Sequence, residues 1–221
     1  MTTAIIGVGN IGSRVARHLV EGGEPVVLAA KDESTAEALA DDLGPLARAA
    51  SVEDAIEAAD VVVLALWLDT MKELIPKDAR LLDGKVVVDP SNPIGFDESG
   101  QSIRTLPEGQ SSGSVVAALL PTGAHYVKAF GTLGADGLGS AANREPQRAV
   151  LFYATDDAAA ATTIERLIRA AGFDPLKAGG VADAARLEVP GGDLHQGGGL
   201  NGALLDLDEA RAKVATSEVS A

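Results

Sequence analysis

The stretch Gly7-Val8-Gly9-Asn10-Ile11-Gly12 constrains this chain more than any other. An apolar run, Ala4-Ile5-Ile6, leads into it, and apolar residues at helical spacing follow: Val15, Ala16, Leu19 and Val20. Gly22-Gly23 closes that segment, and a second apolar run, 25–30, comes next. A glycine triplet of this spacing carries meaning in such a strand–turn–helix–strand context. The first glycine permits the tight turn, the second lets a pyrophosphate reach the backbone, and the third lets helix and strand pack closely. The start of the helix offers free N–H groups and partial positive charge to phosphate. The motif nominates Gly7, Val8, Gly9, Asn10, Ile11 and Gly12 as dinucleotide ligands.

The tip of the second strand, Ala29-Ala30-Lys31-Asp32, bears on which dinucleotide binds. An NAD site places an acidic residue about 20 residues past the glycines, on the ribose 2′-hydroxyl. Here Ala30 is neutral and small, and Lys31 can donate to a 2′-phosphate, so the sequence favours NADP(H). Asp32 is read as the N-terminal residue of a helix over 33–43, where negative charge suits the dipole. A shift of one residue would instead make it the NAD carboxylate. Ser34 either caps that helix or binds the same phosphate.

Composition narrows the partners. A net charge of −14 argues against nucleic acid or an anionic membrane surface. There is no cysteine, hence no disulfide and no thiolate chemistry. Three scattered histidines make no metal ligand set. No apolar run approaches the ~20 residues that span a bilayer, and the first residues enter a strand without a signal-peptide pattern. A cytoplasmic protein that acts on small molecules, away from membranes, is expected.

Strand-like runs continue along the chain: a weak one at 46–50, then 60–66, 85–89, 126–130, 148–154 and a short one at 173–177. Between them the patterns predict helices at 52–59, 67–75 (stopped by Pro76), 115–120 and 156–171 (capped by Asp156). The polar segment 94–112 reads as a surface loop. This alternation predicts an α/β, Rossmann-type, doubly wound and mainly parallel sheet. Residues 1–140 form the NADP-binding domain, and 141–221 a small C-terminal α/β lobe with a dimerisation segment. The apolar stretch 200–214 is expected to contribute to a homodimer.

Ligands of such sheets lie outside the carboxyl ends of the strands. That rule adds Leu66 and Trp67 after the fourth strand, Asn92 and Pro93 after the fifth, and Gly131 and Thr132 after the sixth. Trp67 stacks on adenine, flanks the nicotinamide, or packs a helix on the sheet. His18 reads as a solvated residue of the first helix, and His125 lies at the amino end of its strand, away from the ligand. His195 sits in the glycine-dense segment 189–199. It is a residue of a flexible loop over the second substrate, or else a subunit contact. Glu188 shares those two readings.

The opening motif, Lys31 and Asn92-Pro93 resemble the NADPH-dependent oxidoreductases of the deazaflavin coenzyme F420. So do the segments 119–123, 127–132, 148–157 and 172–175. The cytoplasmic domain of membrane ferric reductases is similar too. The resemblance covers roughly residues 2–188 and takes in the strand end Lys128-Ala129-Phe130-Gly131-Thr132, which puts Ala129 beside the cofactor. It implies a Rossmann domain with a small C-terminal lobe, and direct hydride exchange between the nicotinamide and a deazaflavin or flavin in the cleft. The family commonly has Asn or His where Gly131 stands, so a hydrogen bond to the second cofactor is missing here. No single catalytic acid or base is nominated, because hydride transfer between stacked rings needs proximity and orientation. A carbonyl or imine reductase and a non-catalytic NADP-sensing module are the alternatives.

Overall fold

The eight apolar runs assemble into one sheet in the computed structural model, which describes residues 1–218. Its strands are β1 (Thr3–Ile6), β2 (Val26–Ala29), β3 (Ala47–Ala49), β4 (Val61–Leu64) and β5 (Val86–Asp89). The hairpin strands β6 (Ile94–Phe96) and β7 (Ser102–Arg104) stand apart from it, and β8 (His125–Lys128), β9 (Val150–Ala154) and β10 (Asp174–Gly179) complete it. The strand order is β10-β9-β8-β5-β4-β1-β2-β3. From β3 to β8 every pairing is parallel; β9 then runs antiparallel to β8, meeting it at Lys128↔Ala154, and β10 is parallel to β9. The order reverses between β1 and β4, which brings the loops after those two strands together.

β1, β2, β4 and β9 are buried along their whole length. That burial is why they read as continuous apolar runs rather than alternating ones. Side chains alternate between the faces. Ile5, Val61 and Val63 join α1 (Gly12–Glu21), α2 (Glu33–Leu43), α7 (Ala135–Ser140) and α8 (Ala158–Ala170) in one core. Ala4, Ile6, Val62 and Leu64 join α3 (Val52–Ala58), α4 (Leu68–Lys77), α5 (Ala79–Leu82) and α6 (Ser112–Leu119) in the other. A third cluster covers β9 and β10 with a 3₁₀ helix (Val181–Leu187), Leu194, Leu200 and Ala210 of α9 (Leu207–Glu218). The apolar side chains of the expected dimerisation segment, Leu200, Leu205, Leu207 and Val214, therefore pack on their own sheet.

Several boundaries differ from the sequence reading. Pro76 does not stop α4: it sits in the last turn, where its missing N–H would have reached back to the fourth residue before it, and the helix runs one residue further. The segment 94–112 is no plain loop, since it holds the β6–β7 hairpin and the first residue of α6. α6 starts at Ser112 because the Ser111 hydroxyl accepts from the Ser114 N–H at 2.9 Å. α8 is capped by Asp157, which accepts from the Ala160 N–H at 2.8 Å. Its neighbour Asp156 turns instead to the Val181 N–H at 3.2 Å. α7 was not foreseen from its glycine-rich sequence. His18 is not solvated: it is 7% exposed, with Nε2 at 2.9 Å from the Leu138 carbonyl and its ring edge-on to Phe173.

Candidate active site

The glycine turn has the form its motif predicts. Gly7 has φ +94°, and a Cβ there would lie 2.4 Å from the Ala65 carbonyl oxygen, so the turn packs directly on the loop after β4. At Gly12 a Cβ would meet the Gly7 carbonyl and lie 3.0 Å from Cβ of Ala65. Gly9 is different: nothing lies within 4 Å of the place its Cβ would take, leaving open space above the backbone. No side chain caps α1, and no acid occupies its first turn. The Ser13 hydroxyl donates to the Gly9 carbonyl and the Arg14 guanidinium to the Asn10 carbonyl, both at 2.7 Å. Two of the turn's acceptors are thereby occupied, while its N–H groups lack a capping side chain. Val8 and Ile11 anchor the turn by packing on the core, and Asn10 is exposed. These residues fit a pyrophosphate on open backbone next to an uncapped helix start.

At the tip of β2, Ala30 is half-buried and Lys31 is exposed. Asp32 is the cap of α2: its Oδ1 accepts from the Ser34 N–H at 3.1 Å and from the Ser34 hydroxyl at 2.8 Å. The two residues that left the cofactor open to argument therefore bind each other, and Lys31 is the cation at the tip.

Beyond the switch point lies a buried polar cluster that the sequence reading missed. Asp89 and Lys128 end adjacent parallel strands in register. Lys128, 2% exposed, places Nζ 3.0 Å from Asp89 and 3.2 Å from Glu188, and donates to the Ser112 hydroxyl at 2.8 Å and to the Ser91 carbonyl. Asp89 also accepts from the Ser91 N–H at 2.7 Å and the Tyr126 hydroxyl at 2.9 Å. Glu188 arrives from the C-terminal segment and accepts from the N–H groups of Ser112 and Gly113, so it caps α6 from outside. Every partner of the two carboxylates is a donor. Burial and then the Asp89 charge push the Tyr126 phenol well above its ordinary range. The available signal was a charged residue closing each of two neighbouring apolar strands.

The same C-terminal segment fixes the loops over β5 and β8. The Asn92 side chain bridges them, donating to the Gly131 carbonyl at 3.1 Å and accepting from the Val189 N–H at 2.8 Å. Pro93 and Ala129 are buried beside it. Phe130, fully buried, holds φ +63°, a left-handed conformation that costs a bulky residue about 1–2 kcal/mol. A Cβ on Gly131 would lie 2.4 Å from the Pro90 carbonyl oxygen, so this backbone has no room for Asn or His there. The Thr132 hydroxyl is buried and has no hydrogen-bond partner among the described residues, while its carbonyl accepts from the Gln196 N–H at 2.8 Å.

His195, read as part of a loop over the second substrate or as a subunit contact, is packed within its own chain at 4% exposed. Its Nδ1 accepts from the Gly197 N–H at 2.9 Å, which assigns the proton to Nε2, facing the Gly131 carbonyl. Burial, aided by the Lys128 charge, lowers its pKa to about 4. His195 is thus neutral near pH 7 and bonds the backbone of the Gly131 loop. At the rim, Leu66 is half-buried, while Trp67 is 57% exposed and starts α4 without bonding its cap. The structure brings together Gly7, Leu66 and Gly12 at the turn and Asn92, Gly131 and Val189 at the far loops, with Lys31 at the opposite end of the edge.

A reversed strand order, a glycine turn at the reversal and an uncapped helix start define a dinucleotide-binding Rossmann domain. A family model described as "NADP oxidoreductase coenzyme F420-dependent" matches residues 2–93. Over those residues the chain is similar to that family, whose class is the NADP-dependent oxidoreductases. A hypothetical protein of Sinorhizobium meliloti has a solved structure similar over 86% of this chain and 91% of its own, with 30% identity and a TM-score of 0.77. A putative F420-dependent NADP-reductase from Arthrobacter sp. FB24 shares the fold at 23% identity, over 82% of this chain and 86% of its own, with a TM-score of 0.70. The metalloreductase STEAP3 of Rattus norvegicus is 30% identical over 185 residues, 84% of this chain. The present chain spans 35% of that relative's length.

Proposed function

We propose that this protein passes hydride directly between NADP(H) and a deazaflavin, coenzyme F420, or a flavin whose ring stacks on the nicotinamide at the carboxyl edge of β4, β5 and β8. In this reading residues 1–140 hold the dinucleotide and 141–221 close the acceptor side. NADPH supplies the hydride when bound. Gly9 leaves the backbone open to the pyrophosphate, Lys31 meets the 2′-phosphate, and Leu66, Asn92, Pro93 and Ala129 frame the nicotinamide half. Gly131 and Thr132 line the acceptor side.

The observation that carries the reading is the commitment of the ionisable groups around the far loops. Asp89, Lys128 and Glu188 are buried in one another's hydrogen bonds, and His195 is neutral with both ring nitrogens engaged. Such a site orients rings; among the described residues around the loops after β5 and β8, Asp89, Glu188 and His195 are all engaged, and none is free to protonate a carbonyl or imine product. The experiment is anaerobic mixing of NADPH with coenzyme F420, FMN or FAD, followed by nicotinamide absorbance. Loss of that absorbance with one of the three, in step with reduction of the acceptor, is expected. Oxidation of NADPH by simple ketones or imines and by none of the three would overturn the reading.

A further inference from the structure

Five of the seven aromatic side chains, Tyr126, Phe130, Phe152, Tyr153 and Phe173, are buried. The other two are 57% and 61% exposed, and they touch each other. The rings of Trp67 and Phe96 meet edge to face, with centroids 6.0 Å apart and planes at 81°. They come from different loops, Trp67 from the end of β4 and Phe96 from the hairpin that follows β5. Both stand at the carboxyl edge of the sheet. Strand order assigns this part of the edge to the nicotinamide half, with Lys31 marking the other end at β2.

Phe96 is presented on a braced arm. In the hairpin turn, Oδ1 of Asp97 accepts from the Ser99 N–H at 2.9 Å, the Ser99 hydroxyl at 2.7 Å and the Gln101 N–H at 2.9 Å. Those bonds hold the Asp97 carboxyl below its usual range. At the base, the Arg104 guanidinium donates to the carbonyls of Leu106 and Gln110, and to that of Pro190 in the C-terminal segment. An edge-to-face pair engages one edge and one face, so flat ring surface stays free for a planar partner.

The geometry points to Trp67 and Phe96 as the stacking wall for the planar tricyclic ring of the hydride acceptor, a part of the second-substrate site that rests on the hydride-transfer reading above. The wall sets the ring's position at the exposed rim, a task for which Gly131, buried in the loop after β8, offers no side chain.

Trp67 is the sole tryptophan, so its fluorescence reports this site alone. The protein, saturated with NADP⁺, is titrated with FMN and with a 5-deazaflavin, using free N-acetyltryptophanamide as the collisional control. Saturable quenching beyond the control is expected. Phe96→Ala should raise the dissociation constant on the order of tenfold, as expected for loss of an aromatic stacking partner. Phe96→Tyr should restore it. Both substitutions fall on an exposed side chain, and thermal unfolding checks that the fold persists. Unchanged affinity in Phe96→Ala overturns the inference. So does NADPH oxidation by the wild type without quenching, which places the ring elsewhere and leaves hydride transfer standing. Quenching without NADPH oxidation by coenzyme F420, FMN or FAD supports a wall that stacks a planar ring and overturns the hydride reading, and with it the assignment of that ring as hydride acceptor. Emission that changes with protein concentration alone assigns the pair to a contact between copies, and overturns the wall.

Discussion

Lys31 is exposed at the strand tip, while the nearest acid, Asp32, is tied to Ser34 in the cap of α2. A charge-assisted hydrogen bond to a 2′-phosphate contributes about 1.5–3 kcal/mol. Lys31→Ala is therefore expected to weaken NADPH by that amount and leave NADH nearly unchanged in a binding titration; equal losses would show that Lys31 does not read the phosphate. His195 makes a second test at this scale. Its ordinary pKa of 6.5 falls to about 4 in the fold, because burial opposes the charged form. The unfolded chain takes up the proton first, so this contribution is whole above pH 6.5 and is lost as pH falls toward 4. The full shift corresponds to on the order of 3 kcal/mol. Urea unfolding at pH 7 and pH 5 should show a steeper loss for the wild type than for His195→Gln; parallel losses would place the imidazole in water. The glycine turn was legible in the sequence because its chemistry is local. The seat of His195 was not, since glycine density signals loop without saying whether the loop is packed.

Lys128 shows what can be lost between elements. It binds β5 through Asp89, the loop after β5 through Ser91, α6 through Ser112 and the C-terminal segment through Glu188. Removing one member of a buried charged cluster leaves the others without compensation and costs about 3–5 kcal/mol. Lys128→Met should lower the unfolding free energy by that amount in denaturant titration, while Glu188→Gln, which keeps an acceptor at the start of α6, should cost less. A loss below about 1 kcal/mol for Lys128→Met would mean that water reaches the cluster. The strands themselves were legible from their unbroken apolar runs, and the β6–β7 hairpin was not. Its strands are three residues long, and Gly95, Phe96 and Ser102 give no alternation to count. The partners of Asp89 and Lys128 were hidden for a different reason: Glu188 is about 60–100 residues away in sequence, and local pattern carries no information about such contacts.

At the scale of the whole molecule, alternating strands and helices announced the doubly wound sheet, and its pairings are parallel from β3 through β8. The reversal of β9 followed from no local signal, because a buried strand reads the same in either direction. Assembly is the property left for the surface to decide. The apolar residues expected to join two copies, Leu200, Leu205, Leu207 and Val214, are spent on the chain's own third core. What stays open there is a groove of about 400 Å³ between the 199–205 loop and α9, lined by Leu200, Ala203, Ala212 and Thr216, with Glu209 and Lys213 at its sides. Two-fold dimers are the commonest assembly, and the groove is the face of this segment that a second copy can still use. The net charge of −14 on each copy opposes that contact at low ionic strength, and salt screens the repulsion within about 8–10 Å at 0.1–0.15 M. A homodimer is therefore expected whose mass by light scattering at micromolar concentration is twice that of the chain in 0.15 M salt. It should shift toward monomer at 0.01 M. Ala212→Glu, which adds a like charge to the groove, should produce monomer at both. A single-chain mass in 0.15 M salt would refute the dimer, and a dimer indifferent to Ala212→Glu would move the contact to another face.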